Sequence, residues 1–413
     1  MSNQLRSEGV VTIPEEPLQS TEAGRPENQS PLERFRTHPK KALSVTDLVS
    51  PAWCELQYWY TLTIHGKKRR TAAMKQGSIV HKKLEDQVHT TISVDIETKE
   101  DAWGLRIWNV IQGLRTLRDT GLTRELEVWG VVDGLPVTGV IDELSYICPD
   151  LELETSLESK ESRNEPPPDQ ATISEFFKAK GFQSIAETSR SKQRASTKKV
   201  YIGDVKTRSG RSLPSSSAFR PTRMQLMLYH HLISALATNT VDFSLLATRY
   251  NLDSYKMFSD TFLAQVGSLN DEILNETSSS QDAGPTWSQD STSVLLAHNS
   301  LAALWSLMIS EFQLTLPEKA ASLGNILKAE YRSRDDGEIV GSKTFAMSNS
   351  DLSTYLNHEL QWWKGKRDAQ GVAIEEAFKC RSCEFAEGCE WRLKKVDEAK
   401  EKVRMAKKRS AVV

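Results

Sequence analysis

Three of the five cysteines fall within ten residues near the C-terminal end of the chain, as Cys380-Arg-Ser-Cys383-Glu-Phe-Ala-Glu-Gly-Cys389. Arg, Glu and Gly flank them, which does not suit buried unpaired thiols; spacing this tight reads as a metal centre. Three ligands leave a fourth to be found. Zinc would take a Cys or a His, whereas an iron-sulfur cube takes four Cys. Of the other two cysteines, Cys148 precedes Pro149 at the mouth of an acidic stretch and reads as a small hydrophobe. Cys54 lies among aromatic residues where ordered sequence begins, and is the better choice. Joining positions 54 and 389 would close a loop spanning most of the chain, and long closures gain most from a clip.

Composition narrows the class. In 413 residues, 53 basic and 55 acidic side chains leave a formal charge of -2, and five cysteines are too few for a disulfide scaffold. No apolar run approaches the roughly 18 to 20 residues of a membrane-spanning helix, and no secretory leader opens the chain. The expected setting is intracellular and reducing, without a membrane partner.

Residues 1–42 carry scattered glutamates and prolines without apolar periodicity and are expected to form a disordered tail. A single domain is expected over 43–395, with flexible insertions at about 149–197 and 275–293 and a charged helical or disordered tail over 396–413. Trp53 to Tyr60 reads as a short helix capped near Ser50, with Pro51 in its first turn. Helices are expected over 71–88 and 102–118, then two β-rich runs, 124–132 and 135–146, around the hairpin signal Asp133-Gly134. A third strand follows over 199–206, a helix over 222–237, a fourth strand over 241–248, a helix over 294–314, a hairpin over 326–345 and a Trp-rich helix over 350–365. The class is α/β.

The pair Asp204 and Lys206 closes the apolar strand Lys199-Val-Tyr-Ile-Gly-Asp-Val-Lys206. Alternate strand residues share a face, so both project to one side about 7 Å apart. That sets an oxygen ligand for a hard divalent ion beside a cation for a phosphodiester. Gly139-Val-Ile-Asp142 ends the second hairpin strand with another acid, and its glycine permits close approach. Gly77-Ser-Ile-Val-His81 puts a histidine on a helix, and Gln225-Leu-Met-Leu-Tyr229 puts Gln and Tyr on one helical face. Each motif alone is weak; their order is not. Glu85, one turn after His81, is expected on a solvated face, and Glu143 has no clear role.

The succession G-x-x-x-H, G-x-x-D, D-x-K, Q-x-x-x-Y resembles the PD-(D/E)XK nuclease superfamily, specifically its RecB-like branch. That resemblance implies a mixed central sheet flanked by helices. It implies a divalent metal, Mg²⁺ with Mn²⁺ as the alternative, held by His81, Asp142 and Asp204. Lys206 would position water and stabilise developing charge, and Gln225 and Tyr229 would orient the lysine or the phosphate. One upstream Cys with a C-terminal C-x2-C-x5-C resembles the iron-sulfur nucleases of this branch, in which a [4Fe-4S] cluster on Cys54, Cys380, Cys383 and Cys389 would staple the two ends together.

Within that group the sequence is most similar to the exonuclease V family, in particular its fungal members. The similarity covers nearly all of 44–395, including Ser44-Val-Thr-Asp-Leu, Leu327-Lys-Ala-Glu-Tyr-Arg332, Trp362-Trp363 and Gly371 through Cys383. No phosphate-binding helicase motif is present. The family's central acid is often Glu and is Asp204 here, which the pattern allows. The resemblance implies an exonuclease on single-stranded DNA, cutting from a 5′ end after threading through a helical arch to which 71–88 or 102–118 would contribute. It also implies a role in mitochondrial or nuclear genome maintenance, a monomer, and a single-strand-binding protein as a possible companion.

Charge distribution agrees with an anionic partner. Residues 192–223 hold nine Lys or Arg and one acid, Asp204, and Lys67-Lys-Arg-Arg70 with Lys75 precedes His81. Phosphate-directed cations bind without base preference. Trp53, Tyr58, Trp59 and Phe219 are candidates to stack on bases, though core packing is the expected fate of most. The competing reading is a metal-stapled DNA-binding scaffold without turnover.

Overall fold

The computed structural model describes residues 2–7, 29–67, 70–164, 198–267 and 291–410. A six-stranded mixed sheet forms the centre. Its strands are β2 (Leu43–Ser44), β4 (Leu122–Val132), β5 (Leu135–Ser145), β6 (Val200–Arg208), β7 (Leu323–Ser333) and β8 (Ile339–Ala346). A separate parallel pair joins β1 (Ser2–Ser7) to β3 (His89–Val94). β4 and β5 form the hairpin, turning at Asp133-Gly134 where both residues have positive φ. Antiparallel β4 occupies one edge of β5 along its whole length; the opposite edge is shared by β2, paired at Val137–Thr138, and β6, paired at Glu143–Ser145. β6 then runs parallel to β7, and β8 closes the sheet antiparallel to β7.

Two helices bracket β6. α4 (Ala72–Glu85) lays Val80 and Leu84 against Val205 in a small apolar cluster. α7 (Ser216–Ala237) packs on β4, β6 and β7. The main core lies around α5 (Lys99–Thr120) and α10 (Leu301–Thr315), with Trp129, Phe312, Trp362 and Trp363 fully buried. α11 (Asn349–Trp363) supplies the last two of these. α5 buries Trp103, Ile107, Trp108, Ile111 and Leu114, so it is a core helix and not a wall open to a threaded strand.

Several expectations change. Order begins before residue 43: α1 (Pro31–Arg36) is closed by a capping box from Ser30 and Glu33, a signal hidden among tail-like prolines and glutamates. Residues 8–28 lie outside the described region, as do 165–197 and 268–290; the helix expected near 173–179 falls there. The insertion after Asp150 opens with α6 (Leu151–Asn164). The fourth strand expected at 241–248 is instead α8 (Phe243–Arg249), started by an Asp242 cap that the strand propensity of β-branched Val241 and aromatic Phe243 masks. Pro221 sits inside α7, in its first two turns, so the helix begins before Thr222. The aromatic helix α3 (Glu55–His65) is capped by Cys54, not Ser50; Ser50–Ala52 is a separate 3₁₀ turn.

The early segment is tied down by charge. Arg36 bonds both oxygens of buried Asp47, at 2.9 Å from Nε and 2.5 Å from Nη2, and Tyr58 donates its hydroxyl to Asp47 at 2.5 Å. Burial would raise the Asp47 carboxyl, but Arg36 and Tyr58 outweigh it and hold it below the ordinary range. A depressed folded-state carboxyl stabilises above its unfolded value and loses that contribution as pH falls through the folded one. Asp47→Ala should therefore cost about 3–5 kcal/mol at pH 7, since it strands a buried guanidinium. In chemical-denaturation curves the gap to wild type should narrow below about pH 4.

Candidate active site and cysteine cavity

The expected site residues converge where β5 and β6 part. Their ladder runs through Glu143–Gly203 and stops, and the next backbone donor, Val205 N–H, is taken by Asp142 Oδ2 at 2.7 Å. Beyond it, Asp204 and Lys206 project to one side, joined at 2.6 Å between Oδ1 and Nζ. His81 reaches in from α4, with Nε2 3.0 Å from Val205 O and Nδ1 3.9 Å from Asp142 Oδ2. From α7, Gln225 donates to the Tyr229 hydroxyl at 3.2 Å, and Tyr229 faces Asp142, Asp204 and Lys206.

The two motif glycines explain themselves. A Cβ at Gly77 would lie 2.8 Å from Thr207 Oγ1, so α4 or the Thr207 side chain would have to shift where the helix meets β6. At Gly139 a Cβ would lie 2.7 Å from both Tyr229 Cε1 and Val45 Cγ2. Gly139→Ala should thus displace Tyr229 from the carboxylates. Such overpacking typically costs 1–3 kcal/mol, so a lowered melting temperature should accompany reduced DNA cleavage.

The electrostatics call for a cation. Asp204 is 1% exposed, and its Oδ2 is buried with no hydrogen-bond partner among the described residues. Burial pushes its carboxyl up to about 7 against the pull of Lys206, with Asp142 adding to the rise. Burial would lower the Lys206 ammonium, but Asp204 and Asp142 hold it above its ordinary value. Burial also raises Tyr229, reinforced by Asp142, leaving it a phenol. An orphaned carboxylate oxygen beside Asp142 and an imidazole fits a hard divalent ion.

Sequence reasoning missed Glu125. Its Oε1 lies 3.2 Å from His81 Nδ1, and His81, Glu125 and Asp142 offer donor atoms within 4.8 Å of one another. No motif marks it, because it projects from β4 only through an unusual backbone turn, with φ 51°. Glu85, expected in solvent, is 4% exposed. Glu143 pairs with Arg124 at 2.6 Å.

The five cysteines divide into a group of four and a single one. Cys54, Cys380, Cys383 and Cys389 line one cavity, walled by Trp53, Tyr60 and Trp391. Cys148 stands apart, beside Glu154 and Tyr201. Cys54 Sγ accepts the Gln57 N–H at 3.4 Å at the start of α3. Burial pushes the Cys54, Cys380 and Cys383 thiols up, and neighbouring sulfurs add to it. Several thiolates can coexist there only around a cation, which fits a metal centre. Hydrogen bonds bring the two chain segments together: Arg367 grips Glu55 at 2.6 Å from each of two nitrogens, Leu56 N donates to Gln370 O at 3.0 Å, and Lys379 Nζ donates to Trp53 O at 3.0 Å. Glu55, His358 and Glu359 also cluster, but the Arg367 guanidinium bonds Glu55 and His358, taking a cation's place.

Of the basic flank, Lys199 is spent on Glu154 and Glu158, each at 3.0 Å. Arg211 and Arg223 make exposed pairs with Asp336 and Asp351 that bind weakly enough to yield to phosphate. Lys68, Arg69, Lys192 and Arg194 lie outside the described residues. Tyr58 and Phe219 are buried, and Trp59 packs edge-on against Phe35 and Trp362, so these aromatics serve the core.

A mixed sheet carrying these motifs in this order makes the chain a RecB-like nuclease of the PD-(D/E)XK type. A family model described as exonuclease V, a 5′ deoxyribonuclease, matches residues 30–392, and the chain belongs to that family. It is thus an exodeoxyribonuclease, a hydrolase acting on DNA, and the scaffold alternative falls. It is 24% identical to exonuclease V of Danio rerio over 366 residues, covering 88% of this chain and 73% of the relative. It is 23% identical to mitochondrial exonuclease V of Vanderwaltozyma polyspora over 437 aligned positions, covering 88% and 76%, and 26% identical to that of Candida glabrata over 242, covering 50% and 43%.

Proposed function

We propose that this protein degrades single-stranded DNA from its 5′ end with Mg²⁺, or Mn²⁺, bound by His81, Asp142 and Asp204. The observation that carries this reading is the buried, unpartnered Oδ2 of Asp204 beside Lys206 and Asp142. A divalent ion there supplies Lewis-acid stabilisation of the charge that builds on the phosphoryl oxygens. The chain does the rest. Asp142 and Asp204 hold their carboxylates in place through the Val205 N–H and the Lys206 ammonium. Lys206, whose side chain is partly exposed beside the buried Asp204, presents N–H donors to the attacking water or to a non-bridging oxygen. Tyr229, held by Gln225, presents its hydroxyl to the same region as an orienting donor. Cations without base-reading geometry make the binding indifferent to sequence and sensitive to salt.

The expected result on end-labelled single strands with Mg²⁺ is loss from free 5′ ends and protection by a 5′ block. Asp204→Ala should abolish cleavage, and Lys206→Ala should slow it on the order of 10²- to 10³-fold while binding persists. Equal cleavage of 5′-blocked and 3′-blocked strands would remove the polarity; full activity in both variants would remove the catalytic assignment.

The cysteine cavity is assigned to a [4Fe-4S] cluster on Cys54, Cys380, Cys383 and Cys389, supported by four cysteines around one cavity and the cluster's usual ligand set. It acts as a structural clip. Protein purified without air should be brown, Cys54→Ser should lose iron and fold poorly, and Cys148→Ser should keep its iron. Zinc without iron would overturn the cluster. The protein acts as a monomer in genome maintenance, with a single-strand-binding protein as companion. Mitochondria are the proposed location rather than the nucleus, supported by the names of the fungal relatives.

A further inference from the structure

Glu125 occupies a costly position. It lies within β4 with φ 51°, a left-handed conformation that residues with a Cβ rarely adopt inside a strand. The ladder with β5 pairs Arg124 with Glu143 and Leu126 with Ile141 but passes over Glu125, directly opposite Asp142. The distortion turns the carboxylate to the nuclease site, where Oε1 sits 3.2 Å from His81 Nδ1. An ionised carboxylate only accepts, so that contact places a proton on Nδ1. On the other side of the ring Nε2 lies 3.0 Å from Val205 O, a contact that an Nε2 proton bridges in the metal-free protein and whose place a divalent ion would take.

We propose that Glu125 is a positioning residue for the catalytic metal: it fixes the tautomer and ring orientation of His81 so that Nε2 is free for the divalent ion next to the Val205 carbonyl. This rests on the metal site proposed above. Carboxylate partners of metal-bound histidines act in this way and typically contribute 10- to 100-fold in metal affinity.

The test is calorimetric titration of Mn²⁺ into protein freed of divalent metal but retaining its cysteine-bound centre. Glu125→Gln and Glu125→Gly should weaken Mn²⁺ binding about 10- to 100-fold. In a His81→Ala background neither should weaken it further, since Glu125 acts through the imidazole. The metal-free melting temperature of Glu125→Gly should equal or exceed that of wild type, because glycine accepts φ 51° without strain. Unchanged affinity, an equal loss in the His81→Ala background, or a parallel fall in the metal-free melting temperature would each overturn the proposal. Asp142→Ala and Asp204→Ala serve as the reference: if they also bind Mn²⁺ normally, the metal site itself is wrong, whereas normal binding by the Glu125 variants alone rejects only the role of Glu125.

Discussion

The parting of β5 from β6 is the constraint around which the site is built. Two antiparallel strands that separate leave unpaired N–H and C=O groups, and buried ones must be satisfied. Here the Asp142 carboxylate takes the Val205 N–H in place of a ladder partner, and His81 meets the Val205 carbonyl from the other side. Opening a sheet therefore creates the cleft and fixes the two groups that line it. Asp204 and Lys206 fall on its floor by strand alternation alone. Parallel pairing to β7, from Ile202 to Arg208, keeps β6 straight and supported while its other edge is free.

A second constraint acts where the two ends of the domain meet. α3 comes early in the chain, and the C-x2-C-x5-C segment comes last, yet Glu55, Leu56, Trp53 and Tyr60 all bond to residues between 367 and 390. These contacts are polar and directional, so they specify how the two segments align. Lys379 illustrates this: it is 2% exposed, donates to Trp53 O and Glu376, and lies 4.6 Å from the Trp53 ring centroid. It seats the residue next to Cys380 against the residue next to Cys54. The four cysteines then face one another across a junction already aligned.

Much of this was legible in the chain. Hairpin, D-x-K strand and Q-x-x-x-Y helix were found because turn chemistry and period-2 burial are local properties. The motif glycines were visible as small residues at unexplained places, and their role as contact points for Thr207, Tyr229 and Val45 became clear only in three dimensions. Where local signals compete, reading failed: Asp242 caps a helix over residues with good strand propensity, and Ser30 caps one inside a stretch of tail composition. The near-zero net charge likewise hid a division in which Lys199 is neutralised by the acids of α6 while Arg211 and Arg223 keep only weak surface partners.

By itself the sequence determined the chemistry, because ligand types, their order and the cysteine spacing are written in one dimension, and few functions need that set. It could not decide which acid stands behind His81, since Glu125 enters the site through a backbone distortion that no spacing rule predicts. Nor could it decide that Glu85 is buried, or which side chains wall the cavity across which Cys54 faces the other three cysteines. Those outcomes depend on which surfaces meet when the sheet, its helices and the chain ends pack together, and packing is a property of the whole fold.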